Sequence, residues 1–288
     1  MNRIVAAILT VLLILLASCS KKDGEKAERA GTTRAVQSSF RLEPETATIN
    51  SKIRLITDVP VKEEEIIWLV NGIEVDNKGW SLDTSTLSKT DTVQAVVKSN
   101  DKTYYTNVVK IVNSPPVITY AGIEPRFPKK GDSLRAKVKV QDPDNDDVTI
   151  LYKWFLNGQL KSNESYLDTE TERGDQIKLI VTPYDGQDYG ERVVVKTMIY
   201  NSTPKIIDEG SPEFDGQLYR YKINAYDPDG DRLIYRIIKG PEGMKIADNG
   251  VVIWTVPEDF SGTVPVQIEI DDKNGGKALY SFSLTIER

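Results

Sequence analysis

The chain has 288 residues, a formal net charge of −6 and a pI near 5.1, and it contains no histidine. An acidic balance argues against a nucleic-acid partner, which asks for a basic face to neutralise phosphate. The missing histidine excludes Ser-His-Asp and Cys-His catalysis, histidine general bases and histidine-ligated zinc, so any chemistry must come from carboxylates, tyrosine, lysine or a hard metal ion.

At the start of the chain, Arg3 precedes an apolar run from Ile4 to Ala17 broken only by Thr10, then Cys19 and the polar stretch SKKDGEKAER. The run falls short of the ~20 apolar residues of an ordinary membrane-spanning helix. A charged start, a short apolar stretch and small residues before a cut describe a secretory signal over residues 1–18. Leu16, Ala17, Ser18 and Cys19 resemble a bacterial lipobox. That resemblance implies lipid on Cys19 and membrane attachment through it. By resemblance to enteric lipoproteins, Ser20 rather than aspartate after the cysteine implies sorting to the outer membrane of a bacterial envelope. The same residues also suit cutting near Cys19 by ordinary signal peptidase to give a soluble protein. Cys19 is the single cysteine, so no intramolecular disulfide can form. Residues 19–38 are charged, rich in small side chains and poor in large apolar ones, and are predicted to be a flexible tether.

The rest of the chain repeats itself. WLVNG (Trp68 to Gly72) returns as WFLNG (Trp154 to Gly158), LDT at Leu82 as LDT at Leu167, and KTDTV (Lys89 to Val93) as RGDQI (Arg173 to Ile177). NSPP from Asn113 to Pro116 has its counterpart in NSTP from Asn201 to Pro204. Internal repetition on this scale marks copies of one module. Within the modules apolar residues alternate with polar ones: Leu134, Ala136, Val138 and Val140 in one stretch, Ala278, Tyr280, Phe282, Leu284 and Ile286 in another. A period of two gives strands with one buried face, and the intervening Asn-Gly, Asp-Gly and Gly-Gly pairs supply turns. The fold class is therefore all-β: three tandem immunoglobulin-like or cadherin-like sandwiches over residues 39–113, 114–203 and 204–288. Trp68 and Trp154 belong on the third strand of their modules, in the core.

The third module carries Asp227, Asp229 and Asp231 in DPDGD, then Pro241, Gly243 and Met244, then Gly250, Trp254 and Pro257, the pair Gly262 and Thr263, and finally Asp272, Gly275 and Gly276. On these residues it resembles the cadherin-like, putative immunoglobulin domains of bacterial cell-surface proteins. The second module resembles tandem immunoglobulin-like repeats of bacterial exoproteins through DPDND, KWFLNG and TPYDG. These resemblances imply a non-catalytic adhesion, display or spacer protein. Its partner would be an envelope protein or polysaccharide.

Alternate aspartates can converge on one point, and calcium takes six to eight oxygen ligands in such loops. The resemblance to cadherin-type domains implies calcium near a junction, with Asp227, Asp229, Asp231 and Asp271 or Asp272 as candidate ligands in the third module. In the second the candidates are Asp142, Asp144, Asp146 and Asp185. The acidic linker of a typical cadherin is missing, because NSPP and NSTP carry no carboxylate. Asp-Pro-Asp-Gly-Asp is also a sound turn with no ion: proline fixes φ, aspartate bonds the backbone two residues on, and glycine accepts positive φ. Both readings stay open at this stage. In the first module the run Lys62 to Glu65 replaces the aspartate turn and is predicted to be a solvated loop that binds no cation. Paired carboxylates can serve glycoside hydrolysis, but turn aspartates beside Lys, Arg and water are not raised in pKa, so an enzyme is not expected. Trp80, Tyr104, Tyr105 and Tyr120 lie in turns or near module edges, which leaves carbohydrate binding as the alternative function.

Overall fold

A computed structural model of the protein describes residues 39–207 and 210–287. The predicted signal, Cys19 and the tether lie outside the described residues. All regular structure within them is β, apart from one short 3₁₀ turn at Glu63–Glu65. No helix among the described residues is long and apolar enough to cross a membrane.

Three pairs of sheets follow one another along the chain, with a two-stranded sheet of Lys205–Ile206 and Ala225–Tyr226 beside the third pair. In the first sandwich, Phe40–Glu43, Lys52–Thr57 and Ser81–Asp83 form one antiparallel sheet. The other places Ile73–Val75, Ile66–Val70, Thr92–Ser99 and Val109–Ile111 side by side, and Thr46–Ala47 closes its edge in parallel with Val109–Ile111. The second pairs Val117–Glu124, Leu134–Gln141 and Tyr166–Leu167 against Gln159–Ser162, Thr149–Leu156, Gln176–Tyr184 and Val193–Met198. In the third, Glu213–Phe214, Leu218–Lys222, Val251–Thr255 and Lys245–Ile246 face Ile234–Lys239, Gly262–Asp271 and Lys277–Ile286. The predicted alternation holds. Leu134 is buried, Ala136, Val138 and Val140 are half-buried, and the intervening lysines and arginine are exposed.

Burial is organised around one tryptophan per sandwich. Trp68, Trp154 and Trp254 are no more than 2% exposed, each in a separate apolar cluster. An indole buried this deeply needs a partner for its N–H. Each finds a backbone carbonyl at 3.0 Å: Gly79 for Trp68, Glu164 for Trp154 and Glu242 for Trp254. Trp68 and Trp154 occupy the strand before the Asn-Gly turn. Trp254 instead lies on the strand paired with Leu218–Lys222, in the opposite sheet from Ile234–Lys239.

The repeated motifs touch one another. Asn71 and Gly72 both have positive φ, as do Asn157 and Gly158, the conformation of a tight hairpin turn. The Asn71 amide donates to Asp91 at 2.8 Å, and the Asn157 amide to Asp175 at the same distance. In return, the N–H of Thr92 bonds Asn71 and that of Gln176 bonds Asn157, each at 2.9 Å. This cross-link fixes the loop that begins with Lys89 in one repeat and Arg173 in the other.

Candidate functional site

Both aspartate turns fold by the local chemistry their sequence predicts. Asp227 Oδ1 accepts the backbone N–H of Asp229 at 2.8 Å and that of Asp231 at 3.4 Å, while Gly230 takes φ +83°. Asp142 Oδ1 accepts from Asp144 at 2.8 Å and Asp146 at 3.2 Å, with Asn145 at φ +61°. The turns join Ala225–Tyr226 to Ile234–Lys239 and Leu134–Gln141 to Thr149–Leu156. Within each trio, one carboxylate oxygen from every aspartate lies within 4.8 Å of the others. Among the described residues the first sandwich has no such trio, and Glu63–Glu65 is exposed apart from half-buried Glu65.

The remaining carboxylates of each trio reach the segment that leads in from the preceding sandwich. Asp229 accepts the N–H of Ser202 at 2.6 Å and its hydroxyl at 3.2 Å. Asp144 receives the N–H of Ser114 at 2.5 Å and its hydroxyl at 3.4 Å. The third member of each trio pairs with a base from the sandwich before it. Arg173 grips Asp231 with both guanidinium NH₂ groups, and Lys89 pairs with Asp146. These pairs are only partly wet: the side chains of Arg173 and Asp231 are 34% and 14% exposed, those of Lys89 and Asp146 28% and 24%.

An asparagine in the linker ties the two sides together. Asn201 Oδ1 accepts from Arg173 at 2.5 Å, and its amide donates to Asp272 Oδ2 at 2.8 Å. Asn113 Oδ1 accepts from Lys89 at 3.4 Å, and its amide reaches Asp185 at 2.7 Å and Asp188 at 2.9 Å. Asp272 and Asp185 are themselves buried and fixed by backbone N–H groups: Asn274 and Gly276 for the first, Gln187 and Asp188 for the second. The linker runs so close that two glycines are obligatory. A Cβ on Gly276 would overlap Asp272 Oδ2 and the Ser202 carbonyl, and one on Gly190 would overlap the Pro116 carbonyl.

Of the sequence-predicted residues, then, Asp142, Asp144, Asp146 and Asp185 gather at one junction, and Asp227, Asp229, Asp231 and Asp272 at the other. Asp271 does not join them. It bonds the N–H of Lys273 at 2.7 Å and pairs with Lys277 at 3.4 Å, because neighbouring residues of a strand point to opposite faces. Sequence reasoning missed Lys89, Arg173, Asn113, Asn201, Ser114 and Ser202. The available signal was that NS recurs in both linkers and a base opens both KTDTV and RGDQI. Trp80, Tyr104, Tyr105 and Tyr120 are all exposed. Tyr104 leans on Phe40, with ring centroids 4.9 Å apart.

Electrostatics follow from these contacts. The Arg173 guanidinium holds the Asp231 carboxyl below its ordinary value, and the carboxylate raises Arg173 in turn. Lys89 is raised by its bond to Asp146. Burial pushes Asp185 up, but the N–H of Asp188, the Asn113 amide and the N–H of Gln187 outweigh it and leave the carboxyl lowered. Asp83, Asp215 and Asp271 are also lowered, chiefly by hydrogen bonds from Ser85, from Leu218 and Gln217, and from Lys273. Burial pushes the Tyr219 hydroxyl up to about 12 and also raises Tyr152 and Tyr235. Every displaced acid moves away from the neutral range in which general acid–base chemistry operates.

Residues 201–285 match the family model of the bacterial Ig domain. That span holds the members of the second junction from Asn201 through Gly276, and Arg173 lies outside it. A search of curated proteins found no match. Among solved structures the chain is similar to extracellular domains 3–5 of Drosophila OTK, at 10% identity and a TM-score of 0.36, covering 86% of this chain and 98% of that one. It is also similar to three N-terminal domains of the outer capsid protein Hoc of bacteriophage RB49, at 11% identity and a TM-score of 0.33, covering 86% and 96%. Immunoglobulin domains 1–4 of Sidekick-1 give 11% identity and a TM-score of 0.31, covering 84% and 73%.

Proposed function

We propose that the protein is a lipid-anchored, non-catalytic component of a bacterial envelope. In this reading Cys19 carries the lipid, residues 19–38 form the tether, and the sandwiches act as an adhesion, display or spacer unit. The observation that carries it is the junction built twice. The same residue types, at matching places in each repeat, fasten each sandwich to the next. A chain that needs only to hold modules in register has a use for such a device; a hydrolase needs a cleft with a carboxyl raised in pKa. The downward displacement of Asp83, Asp185, Asp215, Asp231 and Asp271 supports the non-catalytic reading.

Two measurements test it. Metabolic labelling with a palmitate analogue should mark the protein, and Cys19→Ser should abolish the label and release the chain from the membrane fraction. Cross-linking on intact cells should then trap an envelope protein or polysaccharide against the sandwiches. An unlabelled chain recovered wholly in the soluble fraction would refute the anchor. Hydrolytic activity that disappears on substituting a junction aspartate would refute the non-catalytic reading.

A further inference from the structure

The resemblance to cadherin-type domains asks for calcium at these junctions, and the residues present can be tested against that demand. Calcium takes six to eight oxygen ligands. At the second junction, Asp227 Oδ1 is held by two backbone N–H groups, both oxygens of Asp229 by Ser202 and both of Asp231 by Arg173. Asp272 is held by Asn274, Gly276 and Asn201. Only Asp227 Oδ2 among these oxygens has no donor, and its counterpart in the first junction, Asp142 Oδ2, is likewise unpartnered. The other carboxylate oxygens of the second junction already accept from protein donors, so a calcium ion there would have to share each of them with an N–H or O–H group. A bound ion would compete with the Arg173 guanidinium for Asp231 and with Ser202 for Asp229. As arranged, the carboxylates serve protein donors, and a base already occupies the third aspartate of each trio, which is a poor fit to a resident calcium ion.

We propose that each junction supplies its own cation. The Arg173 guanidinium and the Lys89 ammonium, reaching across from the preceding sandwich, each pair with one aspartate of a trio, Asp231 and Asp146, and the modules lock together without calcium. The repeated geometry supports this: in both junctions the base that meets the trio is delivered by the loop that the Asn-Gly turn fixes in place through Asp175 or Asp91. Arg173 adds direction. Its planar fork engages Asp231 with two N–H donors and extends one of them to Asn201, so a single side chain sets the approach of carboxylate and linker together. Lys89 does the same as a point charge, touching Asp146 and Asn113. The inference rests on reading the chain as a jointed, non-catalytic protein, and it replaces an external ion with a built-in one.

The experiment uses the full chain in detergent, in a Cys19→Ser background, with spin labels at Lys161→Cys in the second sandwich and Asp259→Cys in the third. Both positions are exposed. The distance distribution between the labels is measured with calcium chloride and with chelator, beside calorimetric titration of calcium alone. The expected result is one narrow distribution that neither condition moves, no saturable calcium binding at millimolar concentration, and a distribution at least twice as wide in Arg173→Gln. A wild-type distribution that narrows on adding calcium, or an Arg173→Gln distribution as narrow as wild type, overturns the proposal. Should Arg173→Gln not fold, Arg173→Lys keeps the charge and loses the fork, and an intermediate width is expected; an unchanged width again overturns it. The wild-type calcium arm needs no variant. None of these readouts depends on lipid at Cys19 or on an envelope partner, so the two proposals fail separately.

Discussion

Asp272→Ala tests whether the junction is held by its buried acid or merely decorated by it. Asp272 is 2% exposed, and its carboxylate accepts the N–H of Asn274 at 2.7 Å, the buried N–H of Gly276 at 2.9 Å and the Asn201 amide at 2.8 Å. Hydrogen bonds to a charged acceptor contribute about 1.5–3 kcal/mol each, and a buried donor left stranded loses its full solvation. Alanine strands the Gly276 N–H, while the partly buried N–H of Asn274 can recover water. The contributions are not additive, and we expect a net loss of about 3–5 kcal/mol. Asp272→Asn keeps an acceptor for the two backbone groups and loses only the bond to Asn201, for about 1–2 kcal/mol. The assay is urea unfolding of the Cys19→Ser chain followed by tryptophan fluorescence. With a tryptophan in each of three cores, the transitions need not coincide, so the one assigned to Trp254 is the relevant readout. Asp271→Ala, next door on the opposite face, should move that midpoint far less. An alanine variant at position 272 within about 1 kcal/mol of wild type, or an asparagine variant worse than alanine, would refute the reasoning.

Other substitutions probe other parts of the same structure. Trp254→Ala empties the largest buried site of the third core and should cost about 3–5 kcal/mol, read as a lowered urea midpoint for that sandwich with the other two unchanged. Gly190→Ala puts a Cβ into the Pro116 carbonyl and should loosen the first junction while the second keeps its geometry, seen as selective loss of amide protection around residues 113–116. Stability should fall in acid. The carboxyls of Asp231 and Asp185 are lowered in the folded chain, so their contribution is complete above the unfolded aspartate value of about 3.9 and disappears as pH falls through the folded values. Lys89 is raised, so its share is complete below the unfolded lysine value of about 10.4 and is lost as pH rises through the folded one. Melting temperature against pH should show a plateau between these limits, and Arg173→Gln should lessen the loss at the acid edge.

Much of the architecture is legible in the sequence. Period-two alternation in Leu134 to Val140, Asn-Gly pairs at hairpin tips and a tryptophan just before each of them are local signals, and local signals survive folding because they describe a strand and its nearest turn. The aspartate turns were legible for the same reason: the bonds from Asp227 Oδ1 to Asp229 and Asp231 span two and four residues. The partners of those turns were not legible. Arg173 and Asp231 stand 58 residues apart, and Lys89 and Asp146 stand 57 apart. Nothing in the spacing says that the loop of one module meets the turn of the next. The choice between Asp271 and Asp272 was equally closed to sequence reasoning, since it depends on which face of a strand meets the linker.

By itself the sequence determined that this chain would be β-structured, modular and without histidine chemistry, because those follow from composition, repetition and short-range periodicity. What the aspartate trios do was decided only by tertiary structure. A carboxylate takes its role from the charge and the donors that surround it. Here those donors arrive from a different module, carried on a loop whose position the fold alone sets.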